Sequence, residues 1–173
     1  SDLKSVMIGD LGYSSMYKTP VMDLIFSRLP NTLILTITAW LIGLVVALPI
    51  GILSAVKKYS VFDYSTTVFA FVGISLPGFW FALIAIIIFS VGLGWFPVSG
   101  MSTYGVTGTW NVFVDRLRHL VLPAFVLGLV QVASWVRYIR TSLLEVLDQD
   151  YVRTAYAKGV PDRKVIIKHA LKN

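Results

Sequence analysis

Three long stretches without any charged side chain constrain what this chain can fold into. They cover residues 29–56, 64–114 and 120–136, which are 28, 51 and 17 residues long. A helix of about 20 apolar residues crosses the hydrocarbon core of a bilayer, where helices satisfy their own backbone hydrogen bonds. Because 56% of the residues are hydrophobic and only 14% are charged, too few charges remain to cover a soluble globule. The sequence therefore predicts an all-α integral membrane protein.

Charges, prolines and glycines divide the chain into alternating spans and connections within one transmembrane domain, 1–173. Thr19 and Pro20 predict a helix start, because a hydroxyl N-cap followed by proline is a frequent first turn. The apolar stripe that follows, over 21–29, is typical of a helix lying at the membrane interface. The predicted segments are an outer segment with this interfacial helix at 1–30, spans at 31–56, 64–94 and 120–142, an outer loop at 95–118 and a cytoplasmic segment at 143–173.

The positive charges alternate between connections and predict the orientation of the chain. Three Lys or Arg precede the first span and two lie between the second and third, whereas the turn at 57–58 and the tail from 137 together carry ten. Cytoplasmic connections are enriched in Lys and Arg, so we expect an outer N-terminus and a cytoplasmic C-terminus. This placement accounts for the net charge of +6 without nucleic acid as a partner, and the tail lysines are expected to attract anionic membrane lipids.

A few polar or helix-breaking residues inside the spans are candidates for a translocation path or gate. A Pro-Gly pair begins at Pro77, close to Ser75, and leaves the carbonyl of Gly73 without its helical donor. Such a break is tolerated at membrane depth only where protein or a water-filled cavity satisfies the backbone. Gln131 and Ser134 also need polar partners in lipid. A purely structural kink at Pro77 and plain interhelical hydrogen bonds from Gln131 and Ser134 remain open alternatives.

Small residues at a spacing of four predict close helix packing in the first span. Gly43, Ala47 and Gly51 lie on one helical face, and such a face lets a second helix approach closely. The alternative is that glycine is simply common in membrane helices.

No constellation of residues predicts catalysis or a bound metal or cofactor. The chain has no cysteine, and its two histidines, His119 and His169, fall on opposite sides of the membrane in the predicted topology. It also has no GxxxxGK[ST] phosphate loop, so it is not itself a P-loop ATPase. An intramembrane enzyme would need a nucleophile with a base, and an ion-coupled secondary transporter usually has a charged group near the midplane. Both remain weaker alternatives.

The cytoplasmic tail has the pattern of two helices joined by a tight turn. The helix that continues from 143 reaches a run of small residues, Ala155, Ala157 and Gly159. Gly159 suits a left-handed C-cap, and Pro161 prevents continuation and begins a second helix. This arrangement predicts a rigid projection with short side chains, suited to insertion into the cleft of a partner protein.

The tail sequence DYVRTAYAKGVPDRKVIIKHALKN, at 150–173, resembles the EAA loop of ABC importer permeases, closest to the dipeptide/oligopeptide (and nickel) subfamily. Where the general pattern has Glu-Ala-Ala, this sequence has Arg153, Thr154 and Ala155, which leaves any role of the glutamate unsupported. Five further fragments resemble the same family in their order and spacing: GDLGYS at 9–14, RLPNT at 28–32, SLPGFW at 75–80, GWFPVSG at 94–100 and HLVLPA at 119–124.

The resemblance implies part of a type I ABC importer permease fold, a polytopic helical bundle in the inner (plasma) membrane with cytoplasmic coupling helices. Permeases of the family have about six spans, so this chain is expected to be the middle of a longer one. The implied partners are a second permease subunit, an extracytoplasmic solute-binding protein and two ATPase subunits that bind ATP and Mg²⁺. The implied cargo is a di- or oligopeptide, with nickel or another small solute as the alternative. The residues implied to contact the ATPases are Asp150, Tyr151, Arg153, Thr154, Ala155, Ala157, Lys158, Gly159 and Asp162.

Overall fold

The computed structural model describes residues 11–161 and 164–166, and its elements there are helices, apart from one isolated bridge between Tyr13 and Pro20. The all-α class is therefore confirmed for the described residues. In chain order the helices are α1 (Val21–Val56), α2 (Val61–Ser75), α3 (Gly78–Ala85, continued by a π-helical segment, Ile86–Gly92), α4 (Thr109–Leu147) and α5 (Asp150–Ala157). By length and composition α1 and α4 can each cross a membrane, and α2 with α3 forms a third, bent candidate.

Helix α1 joins two segments that the sequence predicts to be separate. The predicted boundary at residue 30 is not a helix boundary, because α1 continues through Pro30. A proline inside a helix removes one backbone hydrogen bond and disfavours the preceding turn, yet the helical backbone continues on both sides of it. The N-cap is Pro20 rather than Thr19. With 36 residues and about 1.5 Å per residue, α1 is longer than the hydrocarbon core.

Close packing between α1 and α4 confirms the small-residue face predicted in the first span. Gly43, Ala47 and Gly51 are all buried. A Cβ atom on Gly43 would lie 3.1 Å from the carbonyl oxygen of Gly128, and one on Gly51 would lie 2.8 Å from the side chain of Ile139. The two helix backbones approach each other at these positions because hydrogen atoms replace side chains.

The order of these contacts shows that α1 and α4 run parallel. Gly43 meets Gly128, Gly51 meets Ile139, and Ala55 packs against Leu143, so residue numbers rise together along both helices. The segment 57–108 therefore leads from the C-terminal end of α1 back to the N-terminal end of α4. We call the C-terminal end of α1, where α4 also ends, the elbow end of the bundle. The N-terminal end of α4 is its loop end.

The second predicted span is two helices with a sharp bend between them. The axes of Val61–Ser75 and Gly78–Gly92 differ by 97°, so the expected single kinked span at 64–94 is a broken one. The break has a local cause: Leu76 and Pro77 are both extended, with ψ of 129° and 127°. A residue before proline disfavours the α region, and Pro77 cannot supply the missing helical donor.

Despite the bend, α2 and α3 follow α4 in one direction. Gly73 of α2 lies against Ala133, and Gly78 at the start of α3 lies against Val130. Further along, Ala85 packs with Leu122 and Val126. The bent pair thus makes a single passage from the elbow end to the loop end, antiparallel to α4.

Helix α4 begins earlier than predicted. The expected outer loop at 95–118 and span at 120–142 give way to a helix that starts at Thr109 and ends at Leu147. The shorter connection is fixed by Asp115, whose carboxylate accepts hydrogen bonds of 2.7 Å from both the backbone N–H and the hydroxyl of Thr103. The charged residues just before the predicted span lie inside α4 and therefore do not mark its start.

Candidate functional site

The candidate site is the elbow, which comprises α5, the turn at Gly159 and residues 160–161 and 164–166. Helix α4 ends at Leu147, and the chain is extended at Gln149, with ψ of 148°, before α5 begins. The eight residues of α5 are too few to be stable alone. The elbow therefore depends on its packing for a fixed shape.

The turn after α5 is a glycine cap of the predicted kind. Gly159 has φ of +74°, in the left-handed region that favours glycine. Its N–H donates to the carbonyl of Tyr156 at 2.9 Å, and the N–H of Val160 donates to the carbonyl of Ala155 at 3.2 Å. These two bonds form a Schellman motif, so the predicted left-handed C-cap is confirmed.

A small apolar core closes the elbow. Val152 and Val165 are fully buried and pack with Ala155. Val165 is brought back onto α5 because the carbonyl of Pro161 accepts the N–H groups of Lys164 and Val165, at 2.8 and 3.1 Å. Those bonds form the start of the helical turn predicted after Pro161, and the rest of that predicted helix lies outside the described residues.

Most of the predicted coupling residues lie on one exposed surface of the elbow. Ala155 is the exception, because its side chain belongs to the apolar core and is 8% exposed. Asp162 lies outside the described residues. The exposed members are Asp150, Tyr151, Arg153, Thr154, Ala157, Lys158 and Gly159.

The four predicted pathway residues lie at one level of the bundle. The break at Leu76–Pro77 is flanked by the contacts of Gly73 with Ala133 and of Gly78 with Val130, which brings it beside the part of α4 that contains the other two candidates. Ser75 donates to the carbonyl of Phe71 in its own helix at 2.8 Å. Ser75, Pro77, Gln131 and Ser134 are all exposed, as are apolar neighbours such as Leu76 and Val130.

No described residue accepts the interhelical hydrogen bonds considered for Gln131 and Ser134. Both residues are exposed. Their polar atoms are thus available at the level of the break in the described part of the chain.

Sequence reasoning missed a buried polar cluster at the elbow end, which we call the polar clasp: Ser54, Asp63, Thr66 and Arg140. Asp63 forms a two-bond ion pair with Arg140, at 2.6 Å to Nε and 2.7 Å to Nη2. The Ser54 hydroxyl donates to the same carboxylate at 2.5 Å and lies 3.0 Å from Thr66 Oγ1. The backbone N–H of Tyr59 donates to Asp63 at 2.9 Å. The clasp thus joins α1, α2 and α4.

The clasp keeps most of the Arg140 side chain away from solvent. Only 24% of its side chain is exposed, and that of Asp63 is 2% exposed. One local signal was present: Ser60 caps α2 and accepts the N–H of Asp63 at 3.2 Å, the spacing of a capping box. That spacing indicates a helix start but not an ion pair with a residue 77 positions away.

Comparisons with known proteins cover almost the whole chain. The family model described as "Binding-protein-dependent transport system inner membrane component" matches residues 47–173. The oligopeptide transport system permease protein AppB of Bacillus subtilis is 46% identical over 172 residues, 99% of this chain and 54% of the relative. The dipeptide transport system permease protein DppB of Escherichia coli K12 is 39% identical over 186 residues, 97% and 55% of the two chains. The chain spans about half the length of the curated relatives it matches.

Proposed function

The chain belongs to the family of binding-protein-dependent transport system inner membrane components, and on this premise we propose that it forms part of the translocation path of an ATP-driven ABC importer. The proposed cargo is a di- or oligopeptide. This choice is supported by relatives named as oligopeptide and dipeptide permeases, at 46% and 39% identity, which favour peptides over the nickel alternative.

The observation that carries the proposal is the closed elbow with one exposed surface. Its apolar core of Val152, Ala155 and Val165 and the Gly159 turn give it a fixed shape, and pre-organised shapes bind partners at a lower entropic cost. We assign this surface to contact with an ATPase subunit in the cytoplasm. ATP and Mg²⁺ belong to two such subunits, and this chain contributes no catalytic group to hydrolysis.

The elbow is attached to the bundle in a way that suits transmission of movement. The extended residue Gln149 separates α4 from α5, while Val146 and Leu147 at the end of α4 pack onto the elbow core. A displacement of the elbow by an ATPase therefore acts directly on the end of α4, which is packed along α1.

The proposed path lies beside the break in the second span. Ser75, Gln131 and Ser134 offer a hydroxyl, an amide and a second hydroxyl at that level, and such groups pair with the N–H and C=O groups of a peptide backbone. A second permease subunit would form the opposite wall, and an extracytoplasmic solute-binding protein would deliver the peptide at the loop end.

Uptake by the complete transporter tests this function. The full-length permease, reconstituted in vesicles with its partner subunits and binding protein, should accumulate radiolabelled di- or oligopeptide only when ATP is present on the elbow side. Labelled Ni²⁺ offered under the same conditions should not accumulate. Peptide uptake driven by an ion gradient without ATP would support a secondary transporter instead, and Ni²⁺ uptake without peptide uptake would overturn the proposed cargo.

A further inference from the structure

We propose that the polar clasp is a positioning site that makes the elbow ends of α1, α2 and α4 move with the elbow as one body during transport. The inference rests on the proposed function, because it concerns how movement of the elbow reaches the spans. It assigns Asp63 and Arg140 a role that neither the motifs in the sequence nor the elbow surface indicates.

The first support is that one carboxylate joins all three helices. Asp63 in α2 is bound through both oxygens to Arg140 in α4 and is also bound to Ser54 at the end of α1. Its second oxygen also fixes the turn between α1 and α2 through the N–H of Tyr59, whose φ is +63°. Removing Asp63 would therefore release three connections at once.

The second support is the geometry and burial of the ion pair. Two parallel bonds between a guanidinium and a carboxylate hold the two groups in one relative orientation. A movement that parted α2 from α4 would leave a carboxylate that is 2% exposed without its counter-charge, which is strongly unfavourable. The clasp thus resists separation of the elbow ends more than apolar packing alone would.

The third support is a continuous series of contacts from the clasp to the elbow. One turn beyond Arg140, Leu143 is buried against Ala55 of α1. Val146 and Leu147 pack against this pair and also against the elbow core. The same two side chains therefore belong to both clusters, and they connect the clasp region to the elbow without a gap.

The fourth support is that this body has a natural boundary. Beyond Ser75 the helix of α2 stops at two extended residues, Leu76 and Pro77. A few residues at the ends of helices are where hinges absorb changes in φ and ψ. The bend therefore separates the body around the clasp from α3 and the loop end.

The test compares the amount of peptide transported per ATP hydrolysed by the complete transporter, with the full-length permease carrying Asp63→Asn. We expect this ratio to fall roughly tenfold or more, because the substitution removes one partner of a buried pair. The rate of ATP hydrolysis and the amount of permease in the membrane should stay within about twofold of wild type. The exchange of both charges, Asp63→Arg with Arg140→Asp, should recover much of the ratio. Asp115→Asn at the loop end, which also removes a hydrogen-bonded carboxylate, is the matched control and should leave the ratio unchanged.

A cross-link keeps the proposal falsifiable if Asp63→Asn fails to fold. In a cysteine-free transporter, Ala55→Cys with Leu143→Cys places a thiol pair inside the proposed body. Oxidation to the disulfide should leave peptide uptake within about twofold of the reduced protein, because the two positions are expected to move together.

Loss of uptake on oxidation with recovery on reduction would overturn the proposal, as would an unchanged transport ratio in a well-inserted Asp63→Asn. Wild-type uptake of peptide tests the proposed function separately, so failure of either inference can be told from failure of the other.

Discussion

Gly159 decides the shape of the elbow through its backbone alone. Its φ of +74° is left-handed, yet in the described part of the chain no atom lies within 4 Å of the position where a Cβ would be. A non-glycine residue there costs about 1–2 kcal/mol, which shifts a conformational equilibrium by roughly 5–30-fold. We therefore expect Gly159→Arg in the full-length permease to lower ATP-dependent peptide uptake about 5–30-fold, measured beside the amount of permease in the membrane.

Gly105→Arg is the matched control for this prediction. Gly105 has φ of +85°, and no atom of residues 11–161 or 164–166 lies within 4 Å of where its Cβ would be, but it lies at the loop end. The same side chain in the same backbone region should leave uptake within about threefold of wild type, since only the general strain is shared. Normal uptake in Gly159→Arg, or equal losses in both variants, would contradict a specific role of the elbow turn.

At the residue scale, local chemistry could be predicted and distant pairing could not. The glycine turn follows from a short pattern, a glycine two residues before Pro161. The ion pair between Asp63 and Arg140 joins residues 77 positions apart, and nothing in either local sequence specifies the other. Ala155 illustrates a related limit, because a small residue suits both an exposed contact surface and a tightly packed core.

At the element scale, the break between α2 and α3 has a single testable cause. Pro77→Ala restores a backbone N–H and frees Leu76 to become helical, so we expect the 97° bend to relax toward a continuous helix. Spin labels at the exposed positions Val68 and Ile87 measure this change. A straight helix would separate them by roughly 28 Å along its axis, whereas the bent pair holds them closer.

In Pro77→Ala, peptide uptake should fall as the distance between the labels at Val68 and Ile87 increases. The control is Pro97→Ala, with the same labels, because Pro97 lies beyond the π-helical segment and outside the bend. An unchanged distance in Pro77→Ala would mean that packing of Gly73 and Gly78 against α4, and not the proline, holds the bend.

The helix boundaries show what an apolar pattern can and cannot define. Uncharged stretches located the membrane-crossing segments, because charge is costly in lipid. The ends of the helices did not coincide with them: α1 begins ten residues before the predicted span, and α4 begins eleven residues before. Outside the hydrocarbon core a helix continues wherever its backbone bonds and caps allow, so α1 continues through Pro30 and α4 through Arg118.

At the scale of the whole molecule, the all-α permease fold predicted from the sequence is confirmed by the helices and by the family match over 47–173. The parallel arrangement of α1 and α4 adds a constraint on the membrane topology. Two parallel helices that each cross the bilayer begin on the same side, so the loop end and the elbow end must lie on opposite sides. A measurement of the side of the membrane on which one end lies therefore also gives the side of the other end.

Thiol accessibility tests this arrangement together with the predicted orientation. The chain has no cysteine, so in a cysteine-free full-length permease single thiols can be placed at Tyr104, which is fully exposed at the loop end, and at Lys158 on the elbow. In intact cells we expect Tyr104→Cys to react with a membrane-impermeant reagent and Lys158→Cys to react only after the membrane is opened, because the elbow end and the tail carry most of the positive charge. Reversed reactivity would invert the orientation and remove the elbow from reach of a cytoplasmic ATPase. Reaction of both thiols in intact cells would contradict a crossing of the bilayer by α4, because α4 is the candidate span between the two positions.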